Sequence, residues 1–472
     1  MIADLKPYPA MKDSGVEWLG EVPEHWDLPR TKTVLRERSE KGHPDEVLLA
    51  ATQTKGVVRK DQYENRTVLA MKDLHLLKLV EVDDFVISLR SFQGGIESAR
   101  VRGIISPAYT VLYPADSPFQ DYLAKLFKSS PYIENLGLYV TGIRQGQNID
   151  YEKLSRSRLP LPPLPEQAAI VRYLDHVDRR VRRLTRAKRK LIALLTEQKQ
   201  AIIHRAVTRG LDPDVPLKDS GVEWLGEVPE HWEVRRLKTL LAAPVTDGPH
   251  STPDFLSEGV PFLSVDGIQK GELVFEDCRY VSPEDHAEFR KKTAPQYGDI
   301  LLGKAASTGK IARVKVDFEF SIWSPLALIR PRESAIRSSY LELALKDVSS
   351  QAQVEILCTL NTQKNISMGD IPRIIVPLPP LPEQAAIVEY LDQATADIDT
   401  TISRAEREIE LLGQYRTRLI ADVVTGKLDV RDAAAALPEV DPLAEDDGEE
   451  DLDANLDLDI EEPDEALEEV EA

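Results

Sequence analysis

Two stretches of the chain carry apolar residues at helical spacing for more than forty residues each. Ile170, Leu174, Val177, Val181, Leu184, Leu191, Leu195 and Ile202 follow a three-four rhythm, with Lys188 and Gln198 as lapses. Leu391, Ala394, Ile398, Ile402, Ala405, Ile409, Leu412 and Leu419 form a comparable stripe. Pro165 and Pro382 stand where a first helical turn tolerates proline, and Glu166 and Glu383 suit the positive end of a helix dipole. No further proline precedes Gly210 or Gly426, and only Gly413 weakens the second run. The pattern predicts two helices of roughly 45 residues, each roughly 65 Å long at 1.5 Å per residue. Ahead of each, VDDFVISLR, DILLG, KIARVKVDFEFSIW, LALIRP and RIIVPLPP read as short strands broken by Gly, Pro and Asp. SSYLELALKDVSSQAQVEIL is helical, which makes the class α+β.

The stripes belong to a larger repetition. KDSGVEWLGEVPEHW occurs at Lys12–Trp26 and again, unchanged, at Lys218–Trp232. PLPPLPEQAAIVRYLD from Pro160 returns from Pro377 with Arg172 replaced by Glu389 as its only difference. Between these anchors the likeness is weaker but keeps its order. DFVISLRSFQGGI from Asp84 matches DILLGKAASTGKI from Asp299, and SPAYTVLYP from Ser106 matches SPLALIRP from Ser324. GQNIDYEKL from Gly146 matches QKNISMGDI from Gln363. A period this long means domain duplication, not a solenoid.

Charge adds a pairing rule. Residues 165–209 hold 12 basic and 4 acidic side chains, whereas residues 382–427 hold 5 basic and 9 acidic. Two amphipathic helices of opposite sign suit an antiparallel coiled coil, with one variable domain at each end of the rod. The basic run RRVRRLTRAKRK (Arg179–Lys190) is expected chiefly to pair with the second helix, with some residues facing a polyanion. The net charge of −21 is misleading, because 19 acidic residues and no Lys or Arg lie from Asp432 onward. Such a composition predicts a disordered acidic tail. No run of eighteen apolar residues exists, and the opening MIADLKPYPAMKDSG is not a secretory signal. Two cysteines, Cys278 and Cys358, build no disulfide framework or zinc site. A cytoplasmic location is expected.

The motifs of catalysis are missing. GKAASTGKI, from Gly303, has five residues between its glycines and Ile311 after Lys310, so it is not a phosphate-binding Walker loop. Neither a G-x-S-x-G elbow, an H-E-x-x-H helix nor a paired CxxC occurs. A non-catalytic chain is expected. His25 and His231, beside Trp26 and Trp232 in the repeated opening, are read as structural.

The repeated opening, the repeated close and the long helix after each resemble the specificity subunit of type I restriction–modification systems, over residues from about 8 to 430. The resemblance implies two tandem target-recognition domains, at 1–160 and 211–376, each reading one half of a bipartite double-stranded DNA target. It implies helical spacers at 161–210 and 377–430 that set the gap and dock two methyltransferase (modification) subunits, with a tail at 431–472. Restriction endonuclease/translocase subunits would join that core. No cofactor is expected on this chain; S-adenosylmethionine belongs to the methyltransferase, and ATP and Mg to the restriction subunit. Identical partner subunits need matching docking surfaces, which accounts for the repeated anchors, while differing half-sites free the middles to diverge.

Base reading calls for Arg or Lys facing guanine and Asn or Gln facing adenine, with hydroxyls serving either. In the first domain LRSFQGG offers Arg90, Ser91 and Gln93, and TGIRQGQN offers Arg144, Gln145, Gln147 and Asn148. In the second, GKAASTGK offers Lys304, Ser307, Thr308 and Lys310, and TLNTQKN offers Asn361, Gln363, Lys364 and Asn365. Arg90 and Lys304 are the foremost candidates. The competing reading is a protein-interaction scaffold without base-specific readout, supported by a near-neutral body; a nuclease acting alone ranks third.

Overall fold

The computed structural model describes residues 5–53, 55–62, 73–115, 120–141, 148–305, 307–360 and 364–438. The chain forms two compact units. The first comprises residues 1–188 and 407–472 and the second residues 189–406, so each division falls inside a long helix.

In the first unit, strands β1 (Leu35–Arg38), β2 (Phe85–Ile87), β3 (Glu97–Ser98) and β4 (Thr110–Pro114) form a sheet of order β1-β4-β2-β3 with antiparallel neighbours. A short helix, α1 (Ser91–Gly94), follows β2, and α2 (Gln120–Phe127) lines the core beneath with Tyr122, Leu123, Leu126 and Phe127. The long helix α3 (Leu164–Arg209) begins here and continues into the second unit. There β5 (Thr246–Asp247), β6 (Ile300–Gly303), β7 (Ile311–Arg313) and β8 (Leu326–Ile329) repeat the plan in the order β5-β8-β6-β7. Helix α4 (Ser338–Lys346) takes the place of α2, and α5 (Leu381–Val424) is the second long helix. The repeat seen faintly in sequence is therefore a repeat of sheet order.

Equivalence extends to single side chains. The Tyr122 hydroxyl lies 3.1 Å from the Pro160 carbonyl oxygen and 2.9 Å from that of Val424. Tyr340 sits likewise between the carbonyls of Val207 and Pro377, at 3.2 and 3.3 Å. The aspartate at the start of the central strand is buried in both units and held by an arginine fork. Arg38 donates to Asp84 at 2.7 and 3.1 Å, and Arg330 donates to Asp299 at 2.8 and 2.7 Å. The arginines come from different strands. Register places Tyr113 where the second unit has Arg330, and Arg38 reaches Asp84 with its guanidinium 4.9 Å from the Tyr113 ring centre. Burial still pushes the Asp84 carboxyl above its ordinary range, although Arg38 pulls it down.

Within each unit the two helical halves run antiparallel. In the first, Arg416 pairs with Asp178 and Lys188 with Glu408; in the second, Lys199 donates to Asp399 at 2.6 Å, and Gly210 at the end of α3 lies beside Glu383 at the start of α5. The seam is more polar than the stripe suggested. Leu184 and Leu191 are exposed, while Thr185 is buried and Lys188 faces its acidic partner across the pair. Lys188 interrupts the apolar stripe because an opposite charge waits on the other helix. Burial would raise Asp178, but Arg416 and Arg182 hold its carboxyl below the usual range.

Each repeated opening folds as a hairpin, Met11–Asp13 with Glu21–Pro23 and Leu217–Asp219 with Glu227–Pro229. Each plugs the place where one long helix ends and the other begins. Gly426, at φ +77°, would drive a Cβ to 2.3 Å from Pro23 and 3.1 Å from Trp26. Gly210, at φ +74°, lies against Trp232 and Glu383 in the same way. Left-handed backbone and a tight approach together demand glycine after each helix. The same residues recur because the same junction must be closed twice.

The chain stays folded past the second helix. Arg431–Ala435 is helical, Val430 and Ala434 are buried in the first unit's core, and Lys6 pairs with Asp429. The acidic stretch read from residue 431 thus begins with eight placed residues, because Ala433, Ala434 and Leu437 supply an apolar face. Residues 439–472 lie outside the described residues.

Candidate nucleic-acid interface

In the second unit, two sequence-predicted segments come together. The Thr308 hydroxyl donates to the Lys364 carbonyl at 2.8 Å, and the Ile366 amide donates to the Lys304 carbonyl at 2.9 Å. The turn after β6 is thereby stitched to the strand Lys364–Ile366. In the first unit α1 packs against the strand Asn148–Ile149, the corresponding juxtaposition. In both units, therefore, the turn after the central strand meets a strand from much later in the sequence.

The side chains on that surface differ in availability. Arg90 and Gln93 are exposed, and the Arg90 guanidinium makes no hydrogen bond to a described residue. Ser91 is buried, and its Oγ accepts the Ser88 amide at 2.8 Å, so it caps the turn. Asn148 is half-buried, with its carbonyl accepting from Thr141 at 3.3 Å. Lys310 is exposed, Ser307 is half-buried, and Lys364 is ion-paired to Glu355. Asn365 is exposed on its strand. Arg144, Gln145, Gln147, Asn361 and Gln363 lie outside the described residues.

Lys304 is largely covered, its side chain 12% exposed, and it donates to Asp247 Oδ2 at 2.6 Å. Lys292 binds the other carboxylate oxygen, and His250 Nε2 lies 3.2 Å from Oδ2. Burial would raise the Asp247 carboxyl, but the two ammonium groups hold it below the usual range. Sequence reading missed Asp247, His250 and Lys292. Only chain folding brings residues 247, 292 and 304 together, and no spacing rule marks them.

A lysine braces the corresponding loop of the first unit. Lys128 Nζ donates to the carbonyls of Gln53 and Gly94 at 2.9 and 2.8 Å, and to Glu97 Oε1 at 2.7 Å. Glu97 is almost wholly buried, its Oε2 has no partner among the described residues, and burial pushes its carboxyl up to about 7 despite Lys128. The basic run on α3 is committed in part to its own unit, with Arg182 3.0 Å from Asp178 and Lys188 on Glu408. No group of three or more potential metal ligands occurs among the described residues, and no described helix is long and apolar enough to cross a membrane.

These features meet a known pattern. Residues 229–411 match the type I restriction modification DNA specificity domain. The type I restriction enzyme MjaVIII specificity subunit of Methanocaldococcus jannaschii is 26% identical over 343 residues, covering 70% of this chain and 75% of that protein. The type I restriction enzyme EcoKI specificity subunit of Escherichia coli is 26% identical over 326 residues, 67% of this chain and 68% of that protein. A chain solved in work on complex assembly and conformational transition of the type I R-M system aligns over 86% of this chain and 99% of its own length, with a TM-score of 0.60 at 19% identity. With its duplicated sheets and the long helices of each unit, the chain is similar to type I restriction enzyme specificity subunits, and residues 229–411 match their DNA specificity domain.

Proposed function

We propose that each unit reads one half of a bipartite DNA target, through the surface that joins the turn after its central strand to the later strand. The observation that carries this is the duplication of sheet order with different residue types on those surfaces: Arg90 and Gln93 in one unit, Lys304, Thr308 and Lys310 in the other. Half-sites read from one face of a duplex lie about one turn, roughly 34 Å, apart, and helices of roughly 65 Å can set such a gap. Arg144, Gln145, Gln147, Asn361 and Gln363, outside the described residues, belong to the same proposal.

The helical spacers would also dock two modification subunits, with a restriction subunit joining them. Exposed leucines on the long helices support a protein-facing surface: Leu184 and Leu411 in the first unit, Leu191 and Leu194 in the second. S-adenosylmethionine, ATP and Mg would be bound by those partners, in the cytoplasm. The test is co-expression with the modification subunit from the same source, followed by single-molecule sequencing of host DNA. A split motif with a fixed gap is expected; modification without any motif would favour the scaffold reading.

A further inference from the structure

The cluster around Asp247 carries more positive charge than pairing requires. One carboxylate, 5% exposed, meets two ammonium groups and an imidazole. Lys304 is sealed in, but Lys292 is 53% and His250 70% exposed, so the excess charge faces solvent. The arrangement is fixed from several sides. Thr293 Oγ1 donates to the Asp247 carbonyl at 2.7 Å, and a Cβ on Gly248 would meet the Ile322 carbonyl oxygen at 1.8 Å. Asp247 and Lys292 are thus held in place beside the turn that carries Lys304 and Lys310. The first unit has no such cluster among its described residues; its counterpart strand β1 ends in Arg38, already committed to Asp84.

A buried carboxylate with two lysines orients their remaining N–H donors without neutralising both. An ammonium so held is a point charge of fixed position, which suits a phosphate better than a base edge. We propose that Lys292, with His250 beside it, binds one backbone phosphate of the DNA duplex next to the bases approached by the 303–310 turn. Asp247 is a positioning residue that aims the lysine. The inference rests on the DNA-reading role proposed for this unit.

The test uses the full complex with its modification subunits and compares wild type with Lys292→Gln on target and unrelated duplexes across a salt series. Lys292→Gln is expected to weaken binding to both duplexes by the same factor. It should flatten the dependence of log affinity on log salt by about 0.9, so that between 50 and 200 mM salt the variant loses about 3.5-fold less affinity than wild type. Lys292→Arg should restore the slope, and the methylated sequence should stay the same in both variants. An unchanged slope would overturn the phosphate site, as would a change in recognised sequence, which would make Lys292 a base reader. If wild type itself bound every duplex alike, base reading by this unit would fail, and the slope difference would still decide the phosphate contact.

Discussion

Trp26 donates its indole N–H to Glu166 at 2.8 Å, across the junction where the first hairpin meets the first long helix. Tyr8 and His25 converge on the same carboxylate, at 2.5 and 2.7 Å. The second junction is looser. Glu383 bonds His231 at 2.9 Å, and Trp232 Nε1 has no partner among the described residues. Asp214 stands four positions before Lys218, where the first copy has Tyr8 before Lys12. Glu166→Ala would strand the buried N–H of Trp26 and the hydroxyl of Tyr8, costing about 2–5 kcal/mol. Glu383→Ala removes a half-exposed pair and should cost less than about 1 kcal/mol. Hydrogen exchange over residues 5–30 and 211–235 checks this; equal loosening of both hairpins would refute the asymmetry.

Glu97 links stability to pH. Its carboxyl holds a proton more tightly folded, at about 7, than unfolded, near its ordinary value of 4.5. The folded state therefore binds more protons in that interval, and stability falls as pH rises from about 4.5 to about 7. The contribution is fully present below 4.5 and amounts to about 3 kcal/mol at 1.36 kcal/mol per unit. Glu97→Gln should flatten this part of the profile and stabilise the protein at pH 8. Urea unfolding at pH 5, 6, 7 and 8 reads it, and parallel profiles for wild type and variant would reject it.

Arg38 and Arg330 solve one problem from two strands. Arg38→Thr would leave Asp84 buried without its cation and should cost about 3–5 kcal/mol. Arg38→Thr with Tyr113→Arg rebuilds the arrangement of the second unit and should regain most of that loss. Thermal unfolding of both variants decides the matter. No recovery in the double variant would mean that the position of Tyr113 cannot serve as Arg330 does.

The exposed guanidinium of Arg90 makes a sharper claim than any buried neighbour. Arg90→Ala should weaken target binding by about 1–3 kcal/mol and relax the methylated motif in one half-site alone. Ser91→Ala should act through folding of the turn, leaving the motif intact. Sequencing of modified bases separates the two. Unchanged affinity and motif in Arg90→Ala would remove this loop from the interface.

Helix length should set the gap. A seven-residue insertion in α3, matched by one in α5, keeps both stripes in phase and should lengthen the unspecified gap in the methylated sites. The recognised half-sites should remain the same. An unchanged gap would rule out the helices as the ruler.

The long helices, the duplicated strand-rich middles and the repeated opening and closing segments were legible because each rests on local pattern: apolar spacing, proline and glycine placement, and sequence identity; that each opening folds as a hairpin was not. Sequence alone also marked Arg90 and Lys304 as candidates by residue type and flanking glycines. It could not distinguish their surroundings. Arg90 is open, whereas Lys304 is held by Asp247, a residue 57 positions away that only the sheet brings near. Nor could it find that Lys188 belongs in the helical seam, since the charge that accepts it, Glu408, lies 220 residues on. Periodicity records which residues avoid water along one element. Which charges can be buried is decided by partners on another element, and those are set when the chain packs.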